Sequence, residues 1–319
     1  MQIPFSSDSI PLSVLSSVQK VKYELDHWDG NARIGDVLSR TVLKGGKRLR
    51  PILTFVMGDL FGLDHQTTAP YSRAVELVHA STLAHDDVID DAAERRGEPS
   101  INAVSSNKRA VLAGDYLLAY VLRDMSHRGR NDIVVELSNV IGDLAEGEWL
   151  QLDYMGRDDL SQKDIELVAL RKTGSVLRWC CVVPALLANS LPQVVKASER
   201  LGEQLGIAFQ LTDDVLDFRR EDGSALADLK NGVISSVVMA LQEQDPEFCR
   251  NLRSGKPFDI SPPSLELAIT KVKTRAAELL EQAKENLQII VENLGDLSPS
   301  QQSAIAALHF LSGYILTRV

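Results

Sequence analysis

Apolar residues recur three and four positions apart along nearly the whole chain, and no stretch alternates apolar with polar positions convincingly enough for a series of strands. The pattern predicts an all-α protein. No low-complexity linker or short repeat divides it, so residues 1–319 are expected to form one helical domain. A first helix is expected from about Ser13 to Trp28, stopped by Asp29-Gly30, and a second from Ile34 to Leu43. The glycines of KGGKRLRP then make a loop, and Pro51 suits the first turn of the following helix. Pro70 is expected to open a long helix from about Tyr71 to Arg95, closed by Gly97 and Pro99. Further helices are expected over 108–125, 132–154, from the capping-box sequence at Ser161 to a break or kink at Gly174, over 192–220, over 264–294, and from a capped Ser298 to near Arg318.

The apolar share of 44% is enough for a substantial core. A net charge of −10 argues against nonspecific nucleic-acid binding and against a basic helix lying on a membrane, so an anionic ligand needs local cations. Cys180, Cys181 and Cys249 suit neither a disulfide framework nor a CxxC metal site; they read as reduced core cysteines of a cytoplasmic protein. The N-terminus lacks the basic start and apolar core of a signal peptide. The densest apolar run, Trp179 to Ala188, contains Pro184 and is too short to span a bilayer, so no transmembrane segment is expected.

Candidate chemistry concentrates in HASTLAHDDVIDDAAERRG, His79 to Gly97. At about 100° per residue, Asp86, Asp87 and Asp90 fall within one arc of a helix among apolar neighbours, where ionising all three is costly unless cations or water screen them. One such motif alone reads as a solvated acidic face. Asp213, Asp214 and Asp217 repeat the spacing inside FQLTDDVLDF, and a solvated face must then be invoked twice. Two partly buried clusters facing each other would cage hard divalent cations such as Mg²⁺, which takes oxygen ligands and bridges carboxylates to substrate phosphates. Lys47, Arg48 and Arg50 crowd a helix start, where the dipole disfavours cations and anion binding would explain them. His85 beside Asp86 reads as structural, because a hard metal site has little use for imidazole.

GKRLRP at 46–51, DDVIDDAAERRG at 86–97, GDYLL at 114–118, GEWLQ at 147–151, KTG at 172–174 and FQLTDDVLDF at 209–218 together resemble the all-trans polyprenyl diphosphate synthases of the isoprenoid synthase family. The closing ALHFLSGYILTRV resembles long-chain members making octaprenyl or solanesyl chains. The resemblance implies a single-domain helical bundle around a central cavity, probed by several expectations. An allylic diphosphate, held through Mg²⁺ by Asp86, Asp87, Asp90, Asp213, Asp214 and Asp217, would ionise, and the double bond of isopentenyl diphosphate would attack the allylic cation. Arg95 and Lys172 would contact the allylic diphosphate, and Lys47, Arg50, His79 and Arg96 the isopentenyl diphosphate. Thr173 and Gln210 would lie beside the cation. Bulky residues four or five positions before the first aspartate shorten the product in this family; here those positions are Thr82 and Ser81, with Val78 on the same stripe, and a hexaprenyl or longer product is implied. Tyr71, about 15 residues or roughly 22 Å down the helix, could form a floor. A homodimer is implied as well, with contact to a membrane surface conceivable for releasing an apolar product.

The chain departs from the family pattern after its second motif: Gly223 and Val233 stand where lysines are usual, while Asp228 and Leu229 match and Lys230 offers a displaced charge. The departure sustains alternatives. They are a shorter, geranylgeranyl-type product; a noncatalytic subunit of a heteromeric synthase, against which the six intact aspartates argue; and a terpene cyclase, against which Lys47, Arg50 and Arg96 argue.

Overall fold

A computed structural model describes residues 5–6, 8–23, 25, 32–95, 98–157, 159–219, 232–244, 251 and 262–318. They are helical almost throughout and fall into two compact units, each assembled from three separate stretches of chain. The first comprises Met1–Ile141, Trp179–Leu191 and Asp296–Leu308; the second comprises Gly142–Arg178, Pro192–Gly295 and His309–Val319.

In the first unit, α1 (Leu12–Lys20), α2 (Ala32–Arg40), α3 (Leu49–Leu60) and α4 (His65–Ile89) precede a two-residue hairpin of β1 (Glu94–Arg95) and β2 (Glu98–Pro99), then α5 (Ile101–Val104) and α6 (Asn107–His127). Helix α3 is buried on every side from Pro51 to Leu60, as expected of a helix that is apolar nearly all round. Trp179, fully enclosed, donates its indole N–H to the Tyr71 carbonyl at 3.1 Å. Cys180 and Cys181 are buried here, and burial pushes the Cys180 thiol up to about 12, so it stays protonated. Cys249 lies outside the described residues.

Helix α2 runs Ala32–Arg40 rather than Ile34–Leu43, and three boundaries differ further from the sequence expectation, each where a side chain finds a partner. Helix α1 stops at Lys20 rather than Trp28; Val21 is extended, and Tyr23 is laid under the Arg48 guanidinium, 4.1 Å from its ring centroid. Helix α4 starts at His65, not Tyr71, because Asp64 caps it, accepting the Thr67 amide at 2.8 Å; Pro70 is carried inside the helix. At its other end α4 stops at Ile89 instead of Arg95. Asp91 turns left-handed at φ 52°, and carbonyls in the last turn and just past it are taken by later side chains: Asn102 Nδ2 donates to Asp87 O at 3.0 Å and to Ala92 O, beyond the helix, at 2.9 Å, and Ser100 Oγ donates to Ala92 O at 2.7 Å.

In the second unit, the C-terminal part of α7 (Asn131–Tyr154) is followed by α8 (Gln162–Ala169), a π-helical turn (Leu170–Gly174) and the start of α9 (Ser175–Leu187). Then come α10 (Pro192–Arg219), α11 (Ser236–Gln244), α12 (Pro262–Glu292) and the end of α13 (Pro299–Thr317). The expected break at Gly174 is the end of that π-turn. Its cause is close packing against α10. A Cβ on Gly206 would lie 2.4 Å from Gly174 Cα, and one on Gly202 would lie 2.5 Å from Arg178 Cα. Among the described residues, no helix is long and apolar enough to cross a membrane.

Candidate active site

The first aspartate motif closes α4, and its three members have unlike surroundings. Asp87 is completely enclosed, with Arg95 Nε 2.6 Å from its Oδ1, while Oδ2 has no hydrogen-bond partner. Asp86 is half-buried and Asp90 exposed, one turn apart on the open side of the helix end. The early end of α4 makes this possible, because only a reversed chain can bring Arg95 back onto Asp87. Asp87 and Arg95 line a cavity of about 300 Å³ with Lys44, Gly45, Gly46, Glu98 and Ser100. Arg96 and Gly97 lie outside the described residues.

Among the cations near the start of α3, Lys47 is exposed and Arg50 half-buried, but Arg48 is not available to an anionic ligand as expected. It is buried in a left-handed conformation, φ 55°, and ion-pairs with Glu76 at 2.6 Å while donating to Leu43 O at 2.8 Å. A buried arginine of this kind needs its partners, and Glu76 supplies the charge. His79 is half-buried on α4. His85 packs against α6: its Nε2 lies 3.1 Å from Val111 O, and the ring occupies space that only a glycine at 114 leaves open. Ser81 is enclosed and donates to Gly114 O at 3.0 Å; Val78 and Tyr71 are buried, and Thr82 is half-buried with its hydroxyl on His79 O.

The second motif lies in α10 and shows a similar division. Asp214 is half-buried and accepts on both oxygens: Gln210 Nε2 at 3.0 Å on Oδ1, and the Ser236 amide at 2.8 Å and hydroxyl at 2.7 Å on Oδ2. Burial pushes its carboxyl up, opposed by those hydrogen bonds. Ser236 is the first residue of α11, so the carboxylate also meets the positive end of a helix. Asp213 and Asp217 are half-buried, and Asp213 pairs with Arg318 at 2.9 Å.

Other motifs converge beside it. Gly147 has no side chain where a Cβ would strike Lys172 Cγ at 2.7 Å; the next residue, Glu148, and Gln151 one turn along hold the Lys172 ammonium at 2.5 Å and 2.9 Å. Thr173 donates to Gln210 Oε1 at 2.9 Å, completing a chain from Thr173 through Gln210 to Asp214. Lys172, Gln210, Asp214, Asp217 and Gln151 line a cavity of about 260 Å³ with apolar Phe218, Ile165 and Val233. Val233 thus puts an isopropyl group where the family pattern carries a lysine. Gly223, Asp228, Leu229 and Lys230 lie outside the described residues.

Sequence reasoning missed Glu148, Ser236 and Arg318. Glu148 carried a signal in its i, i+3 spacing from Gln151; Ser236 and Arg318 reach α10 from distant parts of the chain and carried none. Among the described residues, no three carboxylate, imidazole or thiol groups converge into a ready-made ion site. Asp86 and Asp90, and Asp213 and Asp217, offer carboxylate oxygens, the donor type that suits a hard divalent cation.

A model of the Polyprenyl synthetase family matches residues 31–257. The chain is 34% identical over 214 residues to the mouse all trans-polyprenyl-diphosphate synthase PDSS1, covering 64% of this chain but only 52% of that longer protein. It is 29% identical over 290 residues to the geranylgeranyl pyrophosphate synthase of Geoglobus acetivorans, covering 84% and 86% of the two chains. The crystal structure of a decaprenyl diphosphate synthase from Rhodobacter capsulatus superposes with a TM-score of 0.83 at 26% identity, covering 96% of each chain. The chain belongs to the polyprenyl synthetase family of trans-prenyltransferases.

Proposed function

We propose that residues 1–319 work as one catalytic module that condenses isopentenyl diphosphate with an allylic diphosphate primer, giving a long all-trans polyprenyl diphosphate in the cytoplasm. The observation that carries this reading is the shared division of labour: in each motif the second aspartate is turned into protein, and the first and fifth stay toward the open side. Asp86 with Asp90, and Asp213 with Asp217, would hold Mg²⁺ on the allylic diphosphate. Bound there, Mg²⁺ would supply electrostatic stabilisation to the diphosphate as it departs.

The chain's own groups do the rest. Lys172, oriented by Glu148 and Gln151, neutralises diphosphate oxygens at the cavity wall. Thr173 and Gln210 direct their dipoles toward the allylic cation, held in register by Asp214. Lys47, Arg50, His79 and Arg96 bind isopentenyl diphosphate, and Arg95, kept by Asp87, serves the allylic diphosphate. Val104, Val111, Leu112 and Leu122 on α5 and α6 are exposed apolar side chains that a homodimer would bury, which supports that assembly.

The absence of an aromatic residue at Ser81 and Thr82 supports a hexaprenyl or longer product; the names of the relatives range from geranylgeranyl to decaprenyl, and a geranylgeranyl product is the alternative. Thr82→Phe is expected to shorten the product. It is a cleaner test than Ser81→Phe, which must displace α6 at Gly114. Val233 sustains the noncatalytic-subunit reading. Incubating the purified chain with Mg²⁺, isopentenyl diphosphate and labelled allylic primers, and sizing the products, decides between them: elongation by the chain alone is expected, and none would overturn the proposal.

A further inference from the structure

Arg318, next to the C-terminal residue, is committed to the second aspartate motif. Its Nη1 lies 2.9 Å from Asp213 Oδ1; Nη2 donates to Phe209 O at 2.5 Å and to Thr212 Oγ1 at 2.7 Å, and Nε approaches Thr212 Oγ1 at 3.2 Å. The guanidinium carbon stands 3.7 Å from the centroid of the Phe209 ring, and the side chain is only 8% exposed. Each of these contacts falls on α10 between Phe209 and Asp213, so the charge is fixed in position relative to the motif. Asp214 beside it is already occupied on both oxygens by Gln210 and Ser236.

On the reading that this motif holds a divalent cation on a diphosphate, we propose that Arg318 is a positioning residue and resident counter-ion for Asp213. It holds the carboxylate in place and makes the motif take its cation together with a diphosphate rather than alone. The reason is electrostatic. A fixed positive charge on Asp213 would repel a bare divalent ion held by that carboxylate, and the same charge would attract a metal–diphosphate complex of net negative charge. Arg318 therefore acts with opposite signs on the two species.

Equilibrium binding of Mn²⁺ to the full chain, alone and with inorganic diphosphate, reads this directly. Arg318→Gln is expected to bind bare Mn²⁺ more tightly, on the order of tenfold at low salt, and Mn²⁺ with diphosphate more weakly by a similar factor. Arg318→Lys is expected to keep the native order. Arg318→Met, which retains an apolar stem over the Phe209 ring, serves as the second variant should the glutamine variant not fold, and the same outcome is expected of it. Bare Mn²⁺ binding that is unchanged or weakened in these neutral variants overturns the proposal, because a merely structural arginine would not invert the two affinities. No Mn²⁺ binding by the native chain under either condition overturns the metal reading and this inference with it.

Discussion

Asp87 and Asp214 hold the same place in two motifs of identical spacing, and they are secured by different physics. Asp87 is completely enclosed against one cation, Arg95, brought back by a hairpin after α4 ends. Asp214 has no basic partner among the hydrogen bonds on its oxygens; Gln210, the Ser236 hydroxyl and the first amide of α11 share them instead. One motif uses a side-chain charge and the other the partial charge of a helix end. Neutral donors do not cancel the cost of removing a carboxylate from water, which is why burial raises the Asp214 pKa. A motif's spacing thus says where its carboxylates point and leaves open what holds the inward one.

The comparison breaks first on activity. Asp86→Asn is expected to lower turnover by roughly 10²–10³-fold with little change in melting temperature, since it stands on the open side; Asp213→Asn is expected to lower turnover similarly but also to cost stability, because it strands Arg318. A loss no greater than that caused by Asp91→Asn would break the division into inward and outward aspartates. Stability should sort the inward pair the other way. Asp87→Ala strands Arg95, and Asp214→Ala strands the amide and hydroxyl of the fully buried Ser236, so each is expected to cost roughly 1–3 kcal/mol in urea unfolding. A loss from either no greater than that from Asp86→Asn would mean that the inward position is not structural.

Gly206→Ala tests whether the second motif depends on the packing behind it. The new methyl would meet Gly174 Cα at 2.4 Å, and a cost of roughly 1–3 kcal/mol is expected, together with reduced activity as Thr173 shifts from Gln210. The smallest effect is a pH dependence. Glu166 on α8 is clamped by Arg275 at 2.7 and 3.0 Å, an arginine-held carboxylate inside the second unit. Burial raises its pKa, but the hydrogen bonds from Arg275 and Gln162 outweigh burial and the net shift is downward. The stabilisation is then present above the ordinary glutamate value near about 4.3 and is lost as pH falls through the lower folded-state value. Glu166→Gln is expected to cost about 1 kcal/mol at neutral pH, a difference that closes under acid. A difference that stays constant from pH 7 to strong acid would show that Arg275 does not act through charge.

The sequence by itself determined the helical class, the extents of α7, α10 and α12 to within a few residues, and the capping boxes at Ser161 and Ser298, because hydrophobic period and local hydrogen bonding are short-range properties. It also singled out Lys172, Gln210 and Asp214, which line one cavity, and Thr173, which donates to Gln210. It could not place the ends of α1 and α4. Val21 leaves the helix so that Tyr23 can meet Arg48, and α4 gives way to a hairpin where Asn102 takes the Asp87 carbonyl and Ser100 the Ala92 carbonyl beyond it. Nor could it separate Asp87 from Asp86 and Asp90, or find Arg318 beside Asp213. Those outcomes belong to tertiary structure, since each depends on a charge or hydrogen-bond partner that spacing along one helix does not encode, and the buried carboxylates take whichever partner the chain returns to them.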